Sequence, residues 1–411
     1  MQRAVVLGGG VVGLSIATGL RRVGVEVTVI DAAPAAGAAS WGNAGHIAIE
    51  QVEPLASWPV LRSAPRRLFS RGGALGLPAS QIKHWLPFAL RMMSAAQPER
   101  VERGRTALRS LLTNALPAWK SLTEQLGVPN LVRETGHFVV WESPASAAAG
   151  LAAWRSTDIG NARFHECDAD EMRLLAGLMK QAPAGAIRFA NTGQIADLPK
   201  LADSLRNFVT ARNGRIVNAK ASAVTHREKS VSVTLDDVTA IEADFAVIAA
   251  GARSRELIEP YCKSVPLIAE RGYHLQMTEH RWPDLPPVVF EDRSMIVTRF
   301  ESGLRAASFD EFSSADAPPD ERKWQRLLSH ITALGLPCEA PTRQWMGARP
   351  TLPDYLPAIG RLPHAPNILY AFGHQHLGLT LAAITGDLIA QVATSAPTTV
   401  NLKPFDLQRF I

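Results

Sequence analysis

Three glycines near the N-terminus and two histidines near the C-terminus are the residues whose types and spacing first suggest chemistry. Gly8, Gly10 and Gly13 form a Gly-x-Gly-x-x-Gly pattern, which lets backbone N–H groups approach a phosphate. His374 and His376 lie one residue apart in NILYAFGHQHLGLTLAAITG, with glycines on both sides. This pair suits a metal site, a proton-transfer site or a turn that uses its backbone N–H groups.

The glycine pattern stands in a strand–turn–helix–strand order that is typical of dinucleotide binding. Residues 4–7 predict a short apolar strand, residues 14–23 have helical spacing, and residues 25–30 predict a β-branched strand. Asp31 closes that second strand, about twenty residues after the glycines, where a carboxylate accepts hydrogen bonds from a ribose. An acid at this position disfavours a 2′-phosphate, so NADP is a poor candidate.

Each glycine has a mechanical purpose in this interpretation. Gly8 permits the tight turn, Gly10 lets the backbone come close to a pyrophosphate, and Gly13 allows close helix–strand packing. Val11 and Val12 stand between these glycines and are expected to contact the cofactor as well, and the N-terminus of the following helix supplies free N–H groups and a positive dipole end for the phosphates. The pattern establishes a dinucleotide without saying which one, and a glycine-rich turn with no ligand remains the alternative.

Size and composition fit an ordinary folded protein. The 411 residues are 46% apolar and 20% charged, which predicts two or three domains. Cys167, Cys262 and Cys338 are far apart, so we expect no disulfide framework, no zinc site and a reducing cytosol. The net charge of +5 supports no nucleic-acid partner. We expect neither a signal peptide nor a spanning helix, because no run of ~18 apolar residues is found.

Three further segments resemble those of FAD-dependent amine oxidoreductases. They are AAPAAGAASWGNAGHI (32–47), ADFAVIAAGARSREL (243–257) and WMGARPTLPDYLPAIG (345–360), the last followed by the histidine segment. The whole chain resembles the D-amino-acid dehydrogenase branch of the D-amino-acid oxidase superfamily, since the segments occur in the family's order at both ends and in the middle.

The resemblance implies an α/β fold, α+β overall. A Rossmann-like FAD-binding domain of the glutathione-reductase type would be joined to a substrate domain built on a mainly antiparallel sheet. The FAD-binding domain would comprise residues 1–55, 195–261 and 343–411, and the substrate domain residues 56–194 and 262–342. Within the two insertions, residues 81–95, 104–126 and 320–334 have helical patterns.

The implied cofactor is FAD. Some relatives attach the flavin to a cysteine, but the matching position here is Gly347, so we expect non-covalent FAD. Together with the glycine pattern, the resemblance predicts cofactor contacts from all segments: Gly8, Gly10, Val11, Val12, Gly13, Asp31, Ser40, Asn43, Ala44, Gly45, Ala250, Gly251, Gly373, His374, Gly378 and Thr380.

The histidine pair is then best interpreted as part of a turn. Side chains at i and i+2 do not share one helix face, and no acid or cysteine nearby completes a ligand set, so no metal site is predicted. Gly373 and Gly378 would give the backbone room before a helix over residues 377–392, whose N–H groups would face the flavin. His374 would be a positioning residue and His376 would face the substrate; in the alternative, both are polar turn residues.

A substrate carboxylate needs a cationic fork, which arginine supplies. Arg349 in GARP and Arg305 in GLRAAS match positions that bind the carboxylate in the family, and Tyr273 in RGYH would add a phenol. Arg271 and His274, beside this tyrosine, are weaker candidates. The alternative for each arginine is a solvated or salt-bridged surface residue.

The implied reaction is oxidation of a D-amino or D-imino acid by hydride transfer from Cα to flavin N5. His46, after the NAG turn, would overhang the flavin ring. Segment 266–276, PLIAERGYHLQ, is most similar to family members that act on D-proline or D-hydroxyproline. Electrons would pass to a quinone or another acceptor. Open alternatives are an oxygen-using glycine, sarcosine or D-amino-acid oxidase, a flavin subunit that needs a partner protein, and a dinucleotide-binding protein without catalysis.

Residues 54–98 contain no Asp or Glu but carry basic and aromatic side chains. The basic residues are Arg62, Arg66, Arg67, Arg71, Lys83 and Arg91; the aromatic ones are Trp58, Phe69, Trp85 and Phe88. One hypothesis is that this region docks on anionic lipid at the inner face of the cytoplasmic membrane and brings the flavin near a quinone. An ordinary basic helical surface on a cytoplasmic protein is the alternative.

Overall fold

The structure is a computed structural model that describes residues 1–32, 38–263 and 265–410. Within these ranges the chain forms ten α-helices: α1 Val11–Arg22, α2 Trp58–Arg67, α3 Ile82–Ala95, α4 Pro98–Gln125, α5 Pro144–Ser156, α6 Ala169–Ala176, α7 Leu198–Thr210, α8 Ser254–Ile258, α9 Glu321–Leu334 and α10 Gly378–Ala393. The helices predicted at residues 14–23, 81–95, 104–126, 320–334 and 377–392 are confirmed as α1, α3, α4, α9 and α10.

The same ranges form twenty-one strands: β1 Arg3–Leu7, β2 Glu26–Asp31, β3 His46–Ile47, β4 Leu75–Gly76, β5 Val132–Arg133, β6 His137–Trp141, β7 Phe164–Glu166, β8 Gly185–Phe189, β9 Gly193–Ile195, β10 Arg215–Asn218, β11 Ala221–His226, β12 Val231–Leu235, β13 Ala240–Ala243, β14 Phe245–Ile248, β15 Ile268–Met277, β16 Val288–Phe290, β17 Met295–Phe300, β18 Gly303–Ser313, β19 Arg343–Thr351, β20 Ala358–Leu362 and β21 Ala365–Phe372.

The first sheet has six strands in the order β10-β2-β1-β14-β21-β20. Its pairings are parallel except for the antiparallel β20–β21 edge. Both faces are covered, as a parallel sheet requires: Ala4 and Val6 of β1 belong to the core that contains α1 and α10, and Val5 and Leu7 belong to the core that contains the small antiparallel sheet β11-β12-β13. The Rossmann-like prediction is confirmed.

The second sheet has nine strands, in the order β19-β15-β18-β17-β16-β6-β8-β7 with β4 added beside β18. Only the β16–β6 and β18–β4 pairings are parallel among its described strands, so the sheet is mainly antiparallel, as predicted. Apolar residues of α9 cover one face. Residues 343–411, which were predicted to belong to the FAD-binding domain, supply β19 to this sheet and β20, β21 and α10 to the cofactor side. This segment therefore contributes to both sheets.

The segment Gln375–Ala393 has the length and composition of a membrane span, with a mean hydropathy of 1.3, although 72% of it is buried inside the fold. Trp119 of α4 donates its Nε1–H to the carbonyl of Leu379 at 2.9 Å. The apolar composition of α10 is therefore that of a core helix, which packs against α1 and α4.

Two glycines set the closeness of α1 and α10. A Cβ on Gly19 would lie 2.6 Å from the carbonyl oxygen of Gly386, and a Cβ on Gly386 would lie 2.5 Å from the carbonyl oxygen of Ser15. Both distances are below van der Waals contact, so any side chain here forces the helices apart. Because α1 begins at the phosphate-binding turn, this crossing also fixes the depth of that turn.

We therefore expect Gly386→Ala to lower the free energy of unfolding by about 1–3 kcal/mol, the usual cost of overpacking a core. Gly177→Ala is the matched control, because a Cβ at this exposed helix end meets nothing closer than 3.4 Å. Chemical denaturation measures both variants, and equal midpoints would show that the α1–α10 contact is not close-packed.

Candidate active site

A cavity of about 570 Å³ lies at the carboxyl edge of the first sheet. The ends of β1, β2, β14 and β21 line it, together with residues 346–350 of β19 and the start of α10. Ligands of doubly wound folds bind outside the carboxyl ends of the strands. The three motif regions that are distant in sequence therefore meet around one elongated space.

The glycine turn fits closely against its neighbours. Gly8 has a φ of +114°, and a Cβ on it would lie 2.3 Å from the carbonyl oxygen of Ala249. A Cβ on Gly13 would lie 1.9 Å from the carbonyl oxygen of Gly8. Gly9 is equally constrained, because a Cβ there would lie 2.5 Å from Asp31 Oδ2. Sequence reasoning passed over Gly9, although the uninterrupted run of three glycines was a signal.

The first turn of α1 presents backbone donors without competing acids. The helix has Gly10 as its N-cap, with no side-chain cap and no acidic residue in its first turn. One of the amides is already used, since Val11 N–H donates to Ser40 Oγ at 3.0 Å. Ser40 thus ties the 38–43 segment to the helix that faces the cavity; residues 33–37 of the same predicted motif lie outside the described residues.

Three successive carbonyls of that segment are held by the second sheet. Arg305 donates from Nη1 to the carbonyls of Trp41 at 3.2 Å and Asn43 at 2.5 Å, and His274 Nδ1 donates to the carbonyl of Gly42 at 2.9 Å. Burial followed by the nearby Arg305 charge lowers the pKa of His274 to about 3, so its imidazole is neutral. We call these three hydrogen bonds the carbonyl clamp.

Arg305 therefore has a different position from the one predicted. It is 8% exposed, its Nε donates to Gln276 Oε1 at 3.0 Å, and it is not among the described residues that line the cavity. Burial lowers its pKa to about 10, which leaves the guanidinium charged at neutral pH. Its observed contacts are those of a residue that positions the Asn43 wall.

Arg349 does line the cavity. Its Nη2 lies 2.7 Å from Asp310 Oδ1 and 3.3 Å from Glu270 Oε1, and donates to the carbonyl of Phe309 at 2.6 Å. Its Nε donates to the carbonyl of Glu270 at 3.3 Å, whereas Nη1 donates to none of the described residues. Arg349 is thus the one predicted arginine placed at the cavity wall, with its orientation fixed by two carboxylates.

The partners of Arg349 were missed by sequence reasoning. Glu270 stands directly opposite Arg349 in the β15–β19 pairing, and it accepts a hydrogen bond from Thr351 Oγ1 at 2.9 Å. Burial, partly offset by the Arg349 charge, raises the pKa of Glu270 to about 7. Burial also acts to raise the pKa of Asp310, but the charges of Arg349 and Arg67 outweigh it and leave that pKa lowered.

Tyr273 and Arg271 lie elsewhere, so the prediction that they contact substrate is corrected. The Tyr273 hydroxyl lies 3.3 Å from Glu311 Oε1 and accepts from Asp320 N–H at 3.2 Å. Arg271 donates from Nε to Glu311 Oε1 at 2.6 Å, and Lys323 Nζ forms a second ion pair with Glu311. This buried cluster lies on the opposite face of β15 from Glu270, because neighbouring side chains of a strand alternate.

His374 and His376 both contact other side chains of the protein. His374 Nε2 lies 3.1 Å from Thr385 Oγ1, and burial lowers its pKa to about 3. His376 Nε2 contacts Gln51 Oε1, and burial followed by the Arg349 charge lowers its pKa to about 4. Gly373 has a φ of +79°, and α10 starts at Gly378 with no side-chain cap. His374 and Gly378 line the cavity, whereas His376 is not among its described lining residues.

His46 is not placed over the cavity. Its Nε2 lies 3.1 Å from Glu50 Oε1, and its ring contacts the His137 ring edge to face at 4.4 Å between centroids. Burial acts to raise the pKa of Glu50, but the charges of His46 and His137 outweigh it and leave that pKa lowered.

The predicted cofactor residues divide into two groups. Those that line the cavity are Gly8, Gly10, Val12, Asp31, Ser40, Asn43, Ala250, Gly251, His374 and Gly378. Those outside the described lining are Val11, Gly13, Ala44, Gly45, Gly373 and Thr380; Thr380 Oγ1, for example, accepts from Ala48 N–H at 3.0 Å. Lining residues that were not among the individual candidates include Lys220, Arg253, Glu256, Met346 and Gln375; all but Lys220 lie within the segments that resemble those of the family.

The residues present fit FAD. The glycine turn and the α1 N-terminus form a phosphate cradle, Asp31 stands at the end of β2 for a ribose, and the α10 N-terminus closes the far end of the cavity. None of the three cysteines, all within the described part of the chain, lines the cavity, and all three are free. Position 347 is a glycine whose Cβ would fall 2.0 Å from the Trp345 ring.

Comparisons with known proteins agree with this geometry. The family model described as "FAD dependent oxidoreductase" (DAO) matches residues 3–392. The chain is 31% identical over 418 residues to a D-amino-acid oxidase of Bradyrhizobium diazoefficiens, covering 100% of this chain and 99% of that protein. It is 27% identical over 426 residues to a D-amino acid dehydrogenase of Vibrio vulnificus, with 100% of both chains covered.

Solved structures share the fold. Glycine oxidase from Geobacillus kaustophilus superposes with a TM-score of 0.75 at 19% identity, covering 100% of both chains. L-proline dehydrogenase from P. horikoshii superposes with a TM-score of 0.69 at 16% identity, covering 100% of this chain and 97% of that one. With the cradle, the ribose acceptor and the closing helix in place, the chain belongs to the DAO family of FAD-dependent oxidoreductases.

Proposed function

We propose that the protein is an FAD-dependent dehydrogenase of D-amino or D-imino acids that holds its FAD non-covalently. The observation that carries the substrate class is Arg349, an oriented guanidinium in the wall of the cofactor cavity. The names of the relatives, D-amino-acid oxidase and D-amino acid dehydrogenase, support the same class. Gly347, which takes the place of a cysteine, supports non-covalent binding.

The substrate carboxylate would bind Arg349. Its Nη2 and Nε are engaged by Asp310 and Glu270, so Nη1 is the donor directed at the ligand. A buried acid, Glu270, and a half-buried one, Asp310, fix the plane of this guanidinium, which lowers the entropy cost of binding the carboxylate. Bound FAD supplies a two-electron acceptor at flavin N5; the chain contributes the geometry that holds the substrate Cα in place.

The proton of the substrate amine is handled in a weakly charged environment. His376 lies outside the described lining of the cavity, and burial lowers its pKa to about 4, so it adds no positive charge at pH 7. With so low a pKa the imidazole is a weak base at pH 7 and does not take the proton of the amine. Burial raises the pKa of Glu270, which stands directly opposite Arg349 in the β15–β19 pairing. The amine would release its proton to water before hydride leaves from its neutral form, so the step needs no strong general base.

D-Proline or D-hydroxyproline is the favoured substrate because segment 266–276 is most similar to that of family members which act on these compounds. This segment includes most of β15, whose Glu270 and His274 support Arg349 and the carbonyl clamp. A cyclic imino acid would yield a cyclic imine, whereas a primary amine would yield an imino acid that hydrolyses to a 2-oxo acid.

The electron acceptor would be a quinone. A second cavity of about 440 Å³ lies between α3 and residues 266–269, and it shares Arg253 and Glu256 with the wall of the first. Lys83 of α3 offers a donor for carbonyl oxygens, and Phe88 offers an apolar ring face. An acceptor bound there would stand next to the FAD cavity.

Contact with the inner face of the cytoplasmic membrane would deliver that quinone. On α3, Ile82, Leu86, Leu90 and Met93 are 48%, 42%, 59% and 44% exposed, and their spacing places them on one helix face. This apolar stripe lies beside the acid-free basic residues of 54–98. Buried Phe88 packs against Phe312 at 5.3 Å between ring centroids, and this contact holds the helix that carries the stripe in place. Each basic residue near anionic lipid adds up to ~1 kcal/mol.

An oxygen-using oxidase is the second candidate, favoured by the 31% identical relative named D-amino-acid oxidase. It shares every step up to flavin reduction and differs only in the acceptor. A flavin subunit that needs a partner protein would instead be inactive as an isolated chain.

Anaerobic titration of the purified yellow protein tests the proposal. We expect D-proline, D-hydroxyproline or another D-amino acid to bleach the bound flavin, while the L-enantiomers, sarcosine and glycine leave the absorbance unchanged. No bleaching by any D-compound contradicts the proposed function. After bleaching, stoichiometric peroxide on admission of air favours the oxidase, whereas rapid reoxidation by a short-chain quinone favours the dehydrogenase.

Substitutions of Arg349 and Arg305 should impair the enzyme in different ways. We expect Arg349→Lys and Arg349→Ala to raise KM or lower kcat at least ~10-fold with FAD retained, because the charge-assisted carboxylate contact is lost. Arg305→Ala should also lose at least ~10-fold, but with a larger dissociation constant for FAD, because the carbonyl clamp opens. Arg173→Ala, an exposed arginine of α6 that pairs with Asp170, is the control. Wild-type kinetics in both Arg349 variants would place the carboxylate anchor elsewhere.

The apolar stripe of α3 predicts salt-sensitive lipid binding. We expect the protein to co-sediment with vesicles containing phosphatidylglycerol at low salt, and Leu90→Glu to lower the partition coefficient at least ~10-fold through lost apolar burial and added repulsion. Leu328→Glu, at a 44% exposed leucine on α9, is the matched control. If wild type stays in the supernatant at low salt, or Leu328→Glu has the same effect as Leu90→Glu, the surface is not a lipid-docking surface.

A further inference from the structure

Two imidazoles and one carboxylate form a buried cluster that the proposed reaction does not use. His46 and Glu50 come from the segment at β3, and His137 begins β6 of the second sheet. One ligand atom from each residue lies within 4.8 Å of the others. Glu50 and His137 are both 2% exposed, and none of the three is among the described residues that line the cofactor cavity.

Two polar atoms of this cluster are buried without a hydrogen-bond partner among the described residues: His46 Nδ1 and Glu50 Oε2. The other atom of each group is engaged, since His46 Nε2 lies 3.1 Å from Glu50 Oε1. A buried carboxylate that is half-satisfied is costly. A cation bound at Glu50 would supply the positive charge that this carboxylate lacks; with His46 Nε2 as its ligand, His46 Nδ1 remains a buried N–H.

Two contacts fix the orientation of the His137 ring. Its Nδ1 lies 2.8 Å from Thr192 Oγ1, and its face stacks on Phe189 at 4.5 Å between centroids with an interplanar angle of 5°. Because Thr192 takes the Nδ1 side, Nε2 is the atom left for a ligand. An imidazole whose second nitrogen is fixed by an outer hydrogen bond is the usual arrangement at a metal.

We propose that His46, Glu50 and His137 bind one divalent transition-metal ion of the Zn²⁺ type. Two nitrogens and one carboxylate oxygen suit Zn²⁺, whereas Mg²⁺ and Ca²⁺ prefer oxygen ligands. The ion would bind in a structural role, because it joins the segment that follows the Asn43 wall to β6. β3 pairs with β9 in a small antiparallel sheet, so the ion would tie this sheet to β6, in addition to the carbonyl clamp.

The distances permit this with small movements. Ligands of tetrahedral Zn²⁺ at ~2.0–2.1 Å are about 3.3 Å apart, and His46 Nε2 and Glu50 Oε1 already stand 3.1 Å apart. The remaining ligand atom must close by at most about 1.5 Å from the 4.8 Å limit, which ring and carboxylate rotations supply.

The sequence alone predicted no metal site because the ligands of this cluster are not neighbours in the chain. The sequence argument considered only His374 and His376, and it looked for further metal ligands close to them. His137 is 87 residues after Glu50 in the sequence, so only the fold brings the third ligand to the other two.

Zinc titration of the chelator-treated, FAD-loaded protein tests the proposal by calorimetry. We expect one equivalent of Zn²⁺ to bind per chain, with X-ray absorption at the zinc edge showing imidazole ligands. Glu50→Gln and His137→Gln should each weaken binding at least about 100-fold. His165→Gln is the matched control, because His165 lies 3.1 Å from Glu171 in an exposed His–carboxylate pair.

Each outcome of the zinc titration either supports or overturns the proposed site. No saturable Zn²⁺ binding by wild type, or undiminished binding by both cluster variants, overturns the proposal and leaves a His46–Glu50 ion pair with a buried water as the explanation of the unpartnered atoms. Flavin absorbance and near-UV circular dichroism report whether each variant is folded. If His137→Gln does not fold, the nearly isosteric Glu50→Gln and the wild-type zinc-edge spectrum still decide, and neither measurement depends on substrate turnover.

Discussion

The carbonyl clamp is the interaction on which the site depends most. The segment 41–43 crosses from the phosphate-binding side of the cavity to the second sheet, and its three backbone carbonyls would be buried without partners if nothing reached them. Arg305 and His274 satisfy them from β18 and β15. A buried carbonyl left without a hydrogen bond costs about 1–3 kcal/mol, so the clamp holds this wall of the cavity and the second sheet together.

Strand β15 separates two buried charge clusters by simple alternation. Glu270 faces Arg349 on the cavity side, while Arg271 and Tyr273 face Glu311 on the other. The register of β15 against β18 shifts between Arg271 and Tyr273. Irregularities of this kind are frequent beside active sites, where they redirect side chains. One strand thus supplies both the support of the proposed carboxylate anchor and a self-contained structural ion cluster.

The apolar helices α10 and α3 have opposite surroundings. α10 has the composition of a membrane span, yet 72% of it is buried, where glycine contacts bring it against α1. α3 is less uniformly apolar, but it leaves a stripe of four large apolar side chains exposed, within a stretch of sequence (54–98) that has no acids. Hydropathy alone would choose α10 for lipid contact, although this helix is mostly buried. Burial, which depends on what packs against each helix, makes α3 the proposed docking surface.

Much of the fold and the cofactor end of the site followed from the sequence by itself. The 2.0 and 3.6 residue periodicities, the Gly-x-Gly-x-x-Gly turn and Asp31 are local signals, because each depends on neighbours within a few residues. The tertiary structure decided the rest. Arg305 and Arg349 look equivalent as arginines on strands, but only Arg349 reaches the cavity. Glu270, Asp310 and His137 carried no local signal at all, since their meaning comes from partners distant in the chain. Side-chain direction and long-range pairing are set by strand register and packing, and these are properties of the assembled fold.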